Sequence, residues 1–309
     1  MGLKRRNAIT HRLALACALA LFAVGARAQA PAPALPYKPH SVTSPDGVRL
    51  AVQEWGNADG PAILFIHGFA QSNLSWTKQV RDPALAAKYR MVTFDLRGHG
   101  QSDKPDSRDA YQQHQRWADD VKAILDALSL RRPGLVAWSY AGRVASDYLM
   151  ANGDDAIAGV NFVSAVTDAA SNAGAPANAA AGGTVSPDLA VQIASTRAFL
   201  EFCFVVRPPA DEFETMVAFN AMVPRYVRLA MLGRPTPYAE TFARLTVPML
   251  VSHGTADRAM LPRNGEFTLG AIRGASASWY EGGGHMLFWE NAARFNAELS
   301  AFVDAAQRR

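Results

Sequence analysis

Leu135-Val136-Ala137-Trp138-Ser139-Tyr140-Ala141-Gly142 is the stretch on which the fold turns. Residues 135–138 form a short apolar run, the composition of a strand buried on both faces, and residues 140–151 follow with helical periodicity. A serine between the end of a strand and the start of a helix sits on a tight turn with its hydroxyl exposed above the sheet. The positions two residues away must be small so that strand and helix can approach, the usual pattern being G-x-S-x-G. Here both are alanines, Ala137 and Ala141, which still fit. Alone, the motif reads equally well as a serine that merely caps a helix.

The same alternation extends outward. Residues 62–66 (AILFI), 91–94 (MVTF), 158–163 and 249–252 are apolar runs suited to buried strands, and 48–55 (VRLAVQEW) alternates as a half-buried strand does. Helical patterns lie at 112–130, 140–151 and 290–306. Strand, helix, strand, helix predicts an α/β fold: a mostly parallel central sheet flanked by helices, built from residues 40–167 and 246–309.

The alternation breaks at 168–245, which reads as an inserted helical lid over the sheet's C-terminal edge, where clefts form in open α/β sheets. It opens with an Ala/Gly-rich stretch, 172–186, expected to be a loop. Ser186-Pro187-Asp188 reads as an N-cap with proline at the first helical position, and aromatic-rich helical sequence runs on to Pro235. Phe199, Phe202, Phe204, Phe213, Met216, Phe219 and Met222 read mainly as packing, and any that face the cleft make it apolar.

Three further segments complete a chemistry. Phe65-Ile66-His67-Gly68-Phe69 ends a strand in a loop whose Phe69 N–H can face the nucleophile, as can the N–H of Tyr140. Two fixed donors of this kind stabilise the oxyanion of a tetrahedral intermediate. Thr255-Ala256-Asp257 places a carboxylate just past a strand, and Gly282-Gly283-Gly284-His285-Met286 puts a histidine on a glycine-rich loop before the last helix. A serine hydroxyl needs a base, and the base needs an acid to fix its tautomer. Ser139, His285 and Asp257 are the candidates, with Phe69 and Tyr140 as oxyanion donors and Trp138 and Met286 as substrate-lining neighbours. Asp168, just past the strand that precedes the insertion, is a rival to Asp257. Ser102, His67, His99, His253, Asp95 and Asp103 read as loop-bracing groups, and Cys203, in an apolar run, as a buried small hydrophobe. No residue cluster has metal-ligand spacing and no glycine loop has the form that cradles phosphate, so neither metal nor cofactor is expected.

These motifs resemble the α/β-hydrolase superfamily, in the branch with H-G-F, D-x-R-G-x-G-x-S-D (Asp95 to Asp103 here), a W-S elbow and G-G-H-M. The resemblance spans residues 40–305, and the chain order Ser, Asp, His is the one that family uses. It implies a serine hydrolase forming an acyl-enzyme, with carboxylic esters of small apolar substrates as the leading expectation. Acyl transfer, a perhydrolase-like reaction or carbon–carbon bond hydrolysis on the same triad are the alternatives. Epoxide hydrolases and haloalkane dehalogenases of this fold carry Asp where Ser139 stands.

The N-terminus reads as a targeting segment. Lys4, Arg5, Arg6 and Arg12 precede an apolar run over 13–24 and an Ala26-Arg27-Ala28 cleavage site, so 1–28 is expected to be a secretory signal peptide and 29–39 a Pro/Ala-rich linker. The run is too short to span a bilayer. An exported protein, periplasmic or secreted, follows as the expectation. Five of the 31 basic residues and none of the 27 acidic ones fall within 1–28, so the remainder is nearly neutral and the pI of 9.2 is no argument for a nucleic-acid partner. A small-molecule ester is the expected partner.

Overall fold

The computed structural model describes residues 36–309; the segment expected to be a signal peptide and most of the expected linker lie outside the described residues. Strands β1 (Lys38–Thr43), β2 (Arg49–Gly56), β3 (Ala62–Ile66), β4 (Arg90–Phe94), β5 (Gly134–Trp138), β6 (Gly159–Val163), β7 (Met249–Gly254) and β8 (Ser276–Tyr280) form one sheet in the order β1-β2-β4-β3-β5-β6-β7-β8. The pairs β1–β2 and β2–β4 are antiparallel, and every pair from β4 to β8 is parallel. Strands β3, β5, β6 and β7 are buried along their whole length, which is why they read as unbroken apolar runs.

The two-residue period of a strand sorts side chains into two cores. Leu64, Ile66, Val92 and Phe94 face one side, with Trp117, Val121 and Ile124 of the helix His114–Ala127 and Val144 and Tyr148 of the helix Ala141–Asn152. Ile63, Phe65, Met91 and Trp138 face the other, with Trp76, Phe288 and the C-terminal helix Ala292–Gln307, through Phe295 and Leu299. Substantial aromatic burial on both faces is the main source of stability, since each such side chain contributes about 1.5–3 kcal/mol of transfer free energy.

Between β6 and β7 the chain forms helices Pro176–Gly182, Leu189–Cys203, Ala210–Ala221, Arg225–Met231 and Ala239–Phe242, all within one compact unit with the sheet. Three local expectations are corrected. The stretch 172–186 is not a loop throughout, because an Ala-rich run is a good helix former and Pro176 starts the helix. Asp188, not Ser186, caps Leu189–Cys203, its carboxylate accepting from the Ala190 and Val191 amides at 2.8 and 3.2 Å. The linker ends early, because β1 begins at Lys38 and pairs with β2, an edge position that tolerates Pro39.

Candidate active site

The expected site residues sit on the segments leaving the C-terminal ends of β3, β5, β7 and β8. Ser139 follows β5 directly and has φ 58°, the left-handed region that a side chain rarely adopts. Hydrogen bonds hold it there: its N–H donates to Val163 O on β6 at 3.0 Å, and its carbonyl accepts from Gly142 N and Val166 N at 2.9 and 2.8 Å. The alanines on either side, Ala137 and Ala141, are fully buried. Gly68 crosses this turn so closely that a Cβ there would lie 2.9 Å from Ser139 Cβ, so only glycine fits.

The hydroxyl Oγ of Ser139 lies 2.9 Å from His285 Nε2, and His285 Nδ1 lies 2.8 Å from Asp257 Oδ2. A carboxylate only accepts, so the Nδ1 proton goes to Asp257 and Nε2 is left free to accept from Ser139. The other carboxylate oxygen of Asp257 accepts from the Ala259 and Met260 amides at 2.9 and 2.8 Å, which fixes its orientation. Burial alone would raise the Asp257 carboxyl; the facing His285, with smaller help from His253 and the Met260 amide, outweighs it and holds the pKa below the ordinary aspartate value.

Ser139, His285, Phe69 and Tyr140 line one cavity of about 310 Å³. Neither the Phe69 nor the Tyr140 amide donates to a protein acceptor among the described residues. Phe199 is the one member of the aromatic stripe on this wall, and Met231, Leu232 and Met260 make the remainder largely apolar. Phe213, Met216 and Phe219 are buried as packing, while Met222 is half exposed.

Two expectations fail on burial. Trp138 and Met286 are 1% and 0% exposed and do not line this cavity. Strand alternation turns Trp138 beneath the turn, where its Nε1–H donates to His285 O at 3.0 Å. Met286 packs in the core, its amide donating to Cys203 O at 3.0 Å. Glu290, not singled out in the sequence, joins them as a brace. Its carboxylate accepts from Gly284 N at 2.9 Å and from Val205 and Val206 N at 2.6 and 2.9 Å, tying the histidine loop to the end of Leu189–Cys203. Asp168 is remote from His285's hydrogen bonds; it caps a short turn through Ser171, whose amide and hydroxyl donate to it at 2.8 and 2.6 Å. Cys203 is fully buried.

A second missed group stands behind Tyr140. Arg234, from the inserted segment, pairs with Asp147 of Ala141–Asn152 and donates to Tyr140 Oη at 3.1 Å. Tyr238 Oη donates to the same aspartate at 2.7 Å. Residues separated by some ninety positions meet here only through the fold, so no local motif announces them. Among the described residues, no group of three or more His, Cys, Asp or Glu is placed to hold a metal ion.

The geometry has relatives. The family model for the alpha/beta hydrolase family matches residues 63–298. A Burkholderia cenocepacia protein assigned as an aryl esterase is 36% identical, with a TM-score of 0.84 over 88% of this chain and 100% of that one. An esterase from Rhodococcus sp. is 32% identical, with a TM-score of 0.81 over the same shares. A bifunctional esterase/perhydrolase from Acinetobacter calcoaceticus is 28% identical over 85% of this chain and 98% of its own. A local match to a probable oxidoreductase of Mycobacterium tuberculosis, 44% identical over 92 residues, takes in 30% of this chain but only 15% of that protein's length. Fold, hydrogen-bonded Ser-His-Asp line and family match agree: the chain belongs to the α/β-hydrolase family.

Proposed function

We propose that the chain is a serine hydrolase of small carboxylic esters, exported from the cytoplasm, with Ser139 as nucleophile, His285 as general base and Asp257 as its orienting acid. One observation carries the reading: an unbroken line of hydrogen bonds from Asp257 through His285 to Ser139, at 2.8 and 2.9 Å, ends on a largely apolar cavity. Ester-cleaving relatives that match nearly the whole chain support it.

The steps follow from the atoms. As Ser139 Oγ bonds to the ester carbonyl carbon, its proton passes to His285 Nε2. The imidazolium so formed is stabilised by Asp257. The carbonyl oxygen becomes an oxyanion within reach of the Phe69 and Tyr140 amides, fixed donors of which each is worth about 3 kcal/mol of barrier. Collapse expels the alcohol, which takes the proton from His285, and leaves the acyl group on Ser139. Water, deprotonated by His285, then attacks the acyl carbon, and the carboxylic acid leaves with Ser139 restored. The Acinetobacter relative favours one variation, in which hydrogen peroxide replaces water and the acyl group departs as a peracid. The inserted helices act as a lid, because Phe199, Met231 and Leu232 bring an apolar wall to the nucleophile.

A fluorophosphonate probe and a series of 4-nitrophenyl esters of rising chain length test the reading. A single label at Ser139, with butyrate cleavage abolished in folded Ser139→Ala, is the expected result. Undiminished cleavage by folded Ser139→Ala ends it. Peracid formation when peroxide is added distinguishes the acceptor. Export is tested by the N-terminal residue of protein recovered outside the cytoplasm, expected near Gln29.

A further inference from the structure

The cavity on which Ser139 opens is largely apolar, and its polar lining beyond Ser139, Tyr140 and His285 is Asn172 and one arginine. Arg143, in the first turn of Ala141–Asn152, lines it, and no aspartate or glutamate does. The Nη1 of Arg143 donates to the main-chain carbonyls of Arg234 and Pro235, the second at 3.0 Å, which fixes the head of the side chain. Its guanidinium carbon lies 5.9 Å from the centroid of the Tyr140 ring. Among the described residues, Nε and Nη2 donate to no protein group, and neither is one of the buried polar atoms left without a partner, so both stay accessible.

Three buried arginines show what is missing at the half-buried Arg143. Arg97 is matched by Asp120 and Asp46, and Arg234 by Asp147. Arg228 has no carboxylate partner among the described residues, but its Nε and Nη2 donate to Val223 O and Asn220 O, away from this cavity. Arg143 has no salt-bridge partner among the described residues. Asp147 lies near enough to act on it through space, but the oxygens of that carboxylate already serve Arg234, Tyr238 and His114. Burial pulls the pKa of Arg143 below the ordinary arginine value, as expected of a cation with too little compensation. A half-desolvated cation with an unused donor edge, beside a nucleophile and in an apolar wall, is a place for an anion that arrives with the substrate.

We propose that Arg143 is a specificity residue, receiving a carboxylate carried by the ester substrate, so that half-esters and other esters with a nearby carboxylate are favoured over plain apolar ones. The inference rests on the ester-hydrolase reading and narrows its substrate class. Arg143 takes no part in bond making; it holds the charged end of the molecule while Ser139 meets the carbonyl. The planar guanidinium edge suits a carboxylate better than a lysine would.

The test compares 4-nitrophenyl hemiglutarate and 4-carboxyphenyl butyrate, which carry the carboxylate on the acyl and alcohol sides, with 4-nitrophenyl butyrate and phenyl butyrate as neutral partners. Uncatalysed hydrolysis is subtracted in each case. In Arg143→Gln the kcat/KM ratio of at least one charged ester to its neutral partner is expected to fall about 30-fold, the scale of one charge-assisted hydrogen bond. Arg143→Lys is expected to restore part of that ratio. Equal losses on charged and neutral esters in both pairs would show a brace rather than a binding group, and would overturn the proposal. Glutarate binding to the full-length Ser139→Ala protein, followed by calorimetry with and without Arg143→Gln, separates the two readings. Arg143-dependent binding without any ester turnover keeps the anion site and sinks the hydrolase reading. Ester turnover with ratios and glutarate binding both indifferent to Arg143 does the reverse.

Discussion

Two parts of this molecule hold a serine, a histidine and an aspartate in close company, and they differ in where the hydrogen bonds end: in one on backbone, in the other on a hydroxyl that faces a cavity. In the turn after β4, Ser102 Oγ donates to Asp95 O at 2.5 Å and accepts from Ala51 N at 2.9 Å. His99 is held at both ring nitrogens, by Ala70 N at 3.1 Å and Arg97 O at 2.9 Å. Asp95 takes the Asn73 amide and side chain, both at 2.8 Å, and Gln101 N at 2.9 Å. Gly100, with φ 42°, is pressed so tightly on it that a Cβ would lie 2.1 Å from Asp95 Oδ2. Every polar atom is spent on backbone, so this trio fastens β2, β4 and the loop after β3 to one another. In the second trio the Ala259 and Met260 amides and His285 Nδ1 all donate to Asp257, Ser139 Oγ donates to His285 Nε2, and that hydroxyl faces a cavity. Residue types are shared; the free end makes the difference.

The largest test of that contrast is at the acid. Asp257→Asn replaces an acceptor with a group that also donates, so His285 loses the partner that keeps its proton on Nδ1. Turnover of an activated ester is expected to fall about 10⁴-fold while the thermal transition stays cooperative. Asp168→Asn disturbs only the cap on Ser171, worth about 1 kcal/mol, and is expected to change turnover by no more than a few-fold. Steady-state rates of the two variants decide it, and the opposite ranking would move the acid to the end of β6.

The next test sharpens the bracing half. His67 and His99 are fully buried, and burial lowers their pKa values from the ordinary 6.5 to about 4 and about 3. Below pH 6.5 the unfolded chain takes up protons at these rings that the folded chain refuses. Their contribution to stability is therefore complete above pH 6.5 and drains away as pH falls towards 4. For His67 the difference at pH 4 and below is about 3 kcal/mol. Urea unfolding is expected to show stability falling across that window, and the ring signals of both histidines, followed by NMR, to stay in the neutral form down to pH 5. Titration of either ring near 6.5 in folded protein would show that it is not locked as the hydrogen bonds require.

What the sequence disclosed follows the same division. Interior strands were legible because burial on both faces demands unbroken apolar runs such as Ala62–Ile66, and the elbow was legible because Ser139 sits where such a run meets a helix. Edge strands were not. Lys38–Thr43 and Ser276–Tyr280 bury little, so their mixed polar composition carries no period. Asp257 was read as a turn residue after a strand and His285 as one on a glycine-rich loop before the last helix, whereas the cavity wall was not legible. Arg143 reads in sequence as an ordinary helix residue, and Trp138 as a neighbour of the nucleophile. Which face each one presents is set by strand and helix phase, and by segments such as Arg234–Pro235 that arrive from the insertion.

The smallest expected effect concerns Trp138, which adjoins Ser139 in sequence yet stands behind it in space. Its indole N–H donates to the carbonyl of His285 at 3.0 Å, and its ring packs against those of Trp76 and Phe288 at centroid distances of 6.5 and 5.0 Å. Trp138→Phe keeps most of that packing and deletes the one hydrogen bond, a net change of about 1 kcal/mol. Because the lost bond is to the backbone of His285, the imidazole gains some freedom, and kcat is expected to fall by at most about five-fold, the scale of that energy. The acyl-chain preference should not change, since the indole lies outside the cavity wall. Rates on 4-nitrophenyl esters from acetate to octanoate measure both quantities. A shifted chain-length optimum in Trp138→Phe would put this side chain back in the substrate's path and erase its contrast with Phe199, whereas a uniform fall in kcat at constant KM leaves it as the support on which the base rests.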